Sequence, residues 1–104
     1  MSKRLAMLEK LTSVAAPDPF AWYGLALEYR ALGRLDDAIR TFHTLREQDA
    51  AYVPAYLMGA QTLKMASRLE DAREWVRAGI EAARKKGDDH ALSELESFGA
   101  EVGA

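Results

Sequence analysis

The sequence predicts an all-α fold, a stack of antiparallel helix pairs with about six helices in a single domain, 1–104. Three observations predict it. The chain aligns with itself at a fixed period, each period holds two apolar stripes at helical spacing, and no stretch alternates with the period of two that marks a strand.

The period is 34. Shifting 19–52 onto 53–86 needs no gap and matches seven positions outright: Ala21 with Ala55, Ala26 with Ala60, Arg34 with Arg68, Leu35 with Leu69, Asp37 with Asp71, Ala38 with Ala72, and Glu47 with Glu81. Trp22 with Tyr56, Phe42 with Val76, Asp36 with Glu70 and Arg30 with Lys64 agree in kind.

In the first unit, Trp22, Leu25, Ala26, Tyr29 and Leu32 recur at spacings of three and four, the stripe of an amphipathic helix. Gly33 then offers the left-handed backbone that ends helices. Leu35, Ala38, Ile39, Phe42 and Leu45 form a second stripe, with Asp36 and Asp37 in its first turn, where negative charge meets the exposed amide groups. The second unit repeats this with Tyr56, Ala60 and Leu63, then Leu69, Ala72, Val76 and Ile80 after Ser67. Pro54 suits a first helical turn, where its missing N–H is harmless.

These residues resemble the tetratricopeptide repeat signature. Trp22, Leu25, Ala26, Tyr29, Gly33, Leu35, Ala38 and Phe42 follow its order of aromatic, apolar, small, aromatic, turn glycine, apolar, small and aromatic at the family's period of 34. The small residues let paired helices approach while large ones fill the surrounding space. The second unit departs from the pattern: Gly59 stands for Leu25, Ser67 for Gly33 and Gly79 for Leu45, so it reads as the weaker repeat. The resemblance covers 19–86 and implies a right-handed superhelical stack.

The flanks extend it. Leu5, Leu8 and Leu11 have second-helix spacing, so 1–16 reads as half a repeat, closed by Pro17, Asp18 and Pro19, with Asp18 a candidate cap. Asp88 caps a predicted final helix, 88–102, with Leu92, Leu95, Phe98 and Val102 on one side and charge on the others, the profile of a capping helix. Trp75 is expected either at the convex surface or, as the preferred reading, packed against that helix.

Composition excludes several functions. A net charge of −2 gives no general attraction to nucleic acid or to an anionic membrane. There is no Cys, and His43 and His90 are far apart, so neither a thiolate site nor a zinc pair is indicated and no cofactor is expected. Asp36–Asp37 and Glu70–Asp71 read as helix-start charges, and Arg84, Lys85 and Lys86 as a solvated helix end. No nucleophile or phosphate-loop motif occurs, so the chain is expected not to be an enzyme. Without a signal-like or membrane-length apolar run, the expected location is cytoplasmic.

The resemblance implies instead a protein–protein interaction module or adaptor that holds a peptide segment in a concave groove. By helix register the groove residues are Phe20, Tyr23, Leu27 and Arg30, then Leu57, Gln61 and Lys64, with Met65 beside them. Family members that clamp acidic chaperone tails carry lysine where Tyr23 and Leu57 stand and asparagine where Leu27 and Gln61 stand. This sequence predicts an apolar floor with a basic edge from Arg30 and Lys64, suited to a short apolar or amphipathic segment. The alternative is a structural, self-associating unit, a homodimer, in which Tyr23 and Leu27 pack against a second copy or against the N-terminal helix.

Overall fold

The computed structural model describes residues 2–104, and among them six helices and no strand occur: α1 (Lys3–Thr12), α2 (Pro19–Ala31), α3 (Leu35–Gln48), α4 (Pro54–Met65), α5 (Leu69–Lys86) and α6 (Asp89–Val102). Each helix packs on its chain neighbour, and α2, α4 and α6 also lie side by side.

The ends of the helices follow from local chemistry. The Ser2 hydroxyl accepts from the Leu5 N–H, Asp18 from the Phe20 N–H and Asp88 from the Ala91 N–H, each satisfying an orphan donor of a first turn. Gly33 ends the α2 segment at φ 77°, with the Gly33 N–H donating to Arg30 and the Arg34 N–H to Tyr29. One period later Ser67 makes the same turn at φ 61°, its N–H bonding Lys64 and that of Arg68 bonding Leu63. Ser67 is the only non-glycine residue at positive φ among the described residues, a conformation that costs a side chain about 1 kcal/mol.

The core runs through α2 to α6. Ala26, Ala38, Leu45, Ala60, Ala72 and Val76 have no exposed surface, which is why the repeat keeps small residues where paired helices cross. The two glycines that break the pattern in the second repeat are packing devices. A Cβ on Gly59 would sit 2.6 Å from the ring carbons of Trp75, and one on Gly79 would sit 2.5 Å from Cβ of Tyr56. Trp75 therefore lies in the core at 2% exposure, against Phe42 and Tyr56, rather than at the convex surface or chiefly on the final helix. The second unit exchanges a leucine on each of two helices for aromatic packing across helices.

Three other expectations change. Leu11, Leu32 and Leu69 are 48%, 46% and 41% exposed, so each lies off its stripe. For Leu32 the reason is local, since it is the C-cap of α2 and sits beyond the last packed turn. α1 buries Leu5 and Leu8 against Leu25 and Trp22, and its third inward position is Thr12, whose hydroxyl donates to the Leu8 carbonyl.

Candidate functional site

The face shared by α2, α4 and α6 carries the expected groove residues, arranged by lateral contacts between helices. Tyr23 is half-buried, its ring 5.5 Å from that of Tyr52 and 6.5 Å from that of Phe42. Burial, with Tyr52 alongside, holds its phenol above the ordinary value, while Arg30 pulls the other way; the group is neutral across the physiological range. Tyr23 and Leu57 meet Val53, Met58, Ala91 and Leu95 around a cleft of about 240 Å³, with Asp88, His90 and Glu94 at its rim. Leu57 and Gln61 continue into a second depression shared with Ser93, Ser97 and Glu101 of α6.

The predicted basic edge is not there. The Arg30 guanidinium donates to Gln61 Oε1 at 3.2 Å and lies 3.6 Å from Met58 Sδ, tying α2 to α4. Lys64 lies 3.6 Å from Glu101 and stacks over the Phe98 ring at 5.7 Å, tying α4 to α6. Both cations are engaged within the chain, and the acids of α6 turn the rim acidic. Phe20 is 68% exposed and, with Tyr23 and Leu27, lines a different groove toward α1. The seven residues therefore fall on two surfaces that meet at Tyr23, not on one floor.

The contribution of α6 is what the sequence reading lacked. As a cap, α6 seals the core with Leu95, Phe98 and Val102, yet it also lies beside α4 as a third inner helix. The available signal was the apolar side of α6 itself, where Leu95 is buried as completely as Ala60 on α4 beside it.

The charged motifs have structural partners. Asp37 is bonded by Arg34 at 2.8 Å and by Arg40, which hold its carboxyl below the ordinary value; Asp71 pairs with Arg68 and Glu70 with Arg73. Among the described residues no three His, Asp or Glu side chains gather as a metal site would require, and no helix is long and apolar enough to cross a membrane.

The architecture has solved counterparts. A solution NMR structure of a tetratricopeptide repeat domain protein from Salinibacter ruber is 33% identical, with a TM-score of 0.78 over 82% of this chain and 86% of that one. The chain belongs to the tetratricopeptide repeat family. A crystal structure of a tetratricopeptide repeat domain protein from the same organism, 32% identical, superposes with a TM-score of 0.79 over 84% of this chain and 98% of the other. A Bordetella parapertussis protein shares the fold at 21% identity and a TM-score of 0.83 over 99% and 90% of the two chains. No protein-family model and no curated protein matches the sequence. As a tetratricopeptide repeat domain, the chain has the architecture of a protein-interaction repeat module.

Proposed function

We propose that the chain is an adaptor that holds a short apolar segment of a partner protein on the face made by α2, α4 and α6. The observation that carries this reading is the cleft between Tyr23, Leu57 and Leu95, an apolar recess with polar groups confined to its rim. That arrangement suits a buried anchor side chain with specificity set at the edge. With Asp88 and Glu94 at the rim and Arg30 and Lys64 already engaged, the fitting segment carries a basic rather than an acidic flank.

Tyr23→Glu places a carboxylate in the recess. Partner capture from lysate is expected to fall by an amount corresponding to about 2 kcal/mol of binding, with helicity by circular dichroism unchanged. Glu94→Lys at the rim should weaken capture less and reverse its preference for basic flanks. Undiminished capture by Tyr23→Glu, in a protein that remains helical, would refute the recess as the binding site.

A further inference from the structure

The two ends of the stack are finished differently. At the C-terminal end α6 turns Ser93, Glu96, Ser97 and Ala100 outward. At the other end α1 and α2 enclose an open groove of about 570 Å³ whose walls include Met7, Leu11, Val14 and Phe20. Those four are 54%, 48%, 56% and 68% exposed, most of the large exposed apolar side chains of the described residues. Leu11 stands one period before Leu45, which has no exposed surface. The difference is that α3 is covered by both α2 and α4, whereas α1 rests on α2 alone.

The charges of this groove are placed at its two ends. Helices α1 and α2 run antiparallel, with Arg4 beside Glu28 at 3.4 Å and Leu8 over Gly24. Arg4 therefore lies at the end remote from the connecting loop, and Asp18, the cap of α2, lies at the loop end. Arg4 keeps 68% of its side chain exposed although it pairs with Glu28, and Asp18 caps the Phe20 N–H through one oxygen. An apolar strip with a cation at one end and an anion at the other is complementary to itself under a two-fold rotation, because each Arg4 then faces the other copy's Asp18.

We propose that this groove is a self-association surface, on which a second copy of the chain docks antiparallel through Met7, Leu11, Val14 and Phe20, with Arg4 and Asp18 setting the direction. The groove meets the recess at Tyr23, but Leu11 and Asp18 line the groove alone, so variants there test self-association separately from the recess. Like charge limits the register: with α1 on α1 and Met7 at the axis, Arg4 would face Lys10, so the axis lies nearer the loop end of α1. The exposed apolar strip is smaller than the roughly 800 Å² per partner of a standard interface, so the dimer is a weak one, formed at micromolar concentration and above.

Sedimentation equilibrium of the full chain from about 5 to 500 µM tests this. The mass is expected to rise from 11.5 kDa toward twice that value, 23 kDa. Leu11→Ser, exposed in the monomer and so neutral to folding by circular dichroism, should remain monomeric throughout. Asp18→Asn keeps the helix cap but removes the charge, and should weaken the dimer several-fold, as should raising the salt concentration. A wild-type monomer at the highest concentration overturns the proposal and leaves the groove to a different protein. A dimer that survives Leu11→Ser overturns it by placing the contact on another face.

Discussion

Gly59 and Ser67 show how single residues decide the second repeat. Each looks like a loss against the first repeat, and each has the opposite meaning from the other. Gly59 is required, since the Trp75 ring occupies the space of its missing side chain. Gly59→Ala gains about 1 kcal/mol of helix propensity but forces a buried indole to move, a cost of about 1–3 kcal/mol, so a net destabilisation of about 1 kcal/mol is expected in urea unfolding. Ser67 is tolerated rather than required, because its turn has the hydrogen bonds of Gly33 at a backbone angle that disfavours a side chain. Ser67→Gly is expected to stabilise the protein by about 0.5–1 kcal/mol, less than the full relief of strain because glycine also loosens the unfolded chain. A lower unfolding midpoint for Ser67→Gly would contradict this. The sequence displays both departures but not their signs: Trp75 lies 16 residues beyond Gly59 on another helix, and no helical periodicity connects them.

Between helices, polar pairs join what the apolar stripes bring together. The Arg46 guanidinium of α3 makes two bonds to the Glu74 carboxylate of α5, at 2.7 and 2.9 Å, and lies over the rings of Trp75 and Tyr56 at 5.0 and 5.4 Å. Those bonds hold the Glu74 carboxyl below its ordinary value, burial opposing them. A carboxyl depressed in the folded state contributes stability that is complete above its unfolded value and is lost as pH falls through the folded one. Wild type should therefore exceed Glu74→Gln by about 0.5–1 kcal/mol near pH 7, the pair being half-exposed, and the gap should close as pH falls below the ordinary carboxylate range. A gap that stays constant across that range would show that the pairing is not its source. Helices and their caps are legible in the sequence because stripes, Asp18, Asp88 and Gly33 act within a few residues. The rim of the recess is not, since the partners of Arg30 and Lys64, Gln61 and Glu101, are brought near only by helices lying side by side.

At the scale of the molecule, packing thins toward the N-terminus. The aromatic centre of Phe42, Tyr56 and Trp75 joins α3, α4 and α5, and α6 closes one end with three buried apolar residues. The repeat period reveals that stack, yet it says nothing of which end is sealed, because sealing depends on what lies outside the repeated unit. With contacts confined to adjacent and next-but-one helices, the chain is a series of local interfaces that can open from an end without breaking the rest. α1 rests on one helix only, so its opening exposes little surface. Its amide protons should exchange with solvent orders of magnitude faster than those of α3 to α5, whose release needs global unfolding. Uniform protection measured by NMR would show instead that the six helices open together. A single-sided helix at one end thus makes the protein a thermodynamic gradient, in which the segment that opens first is also the one that a neighbouring copy would hold closed.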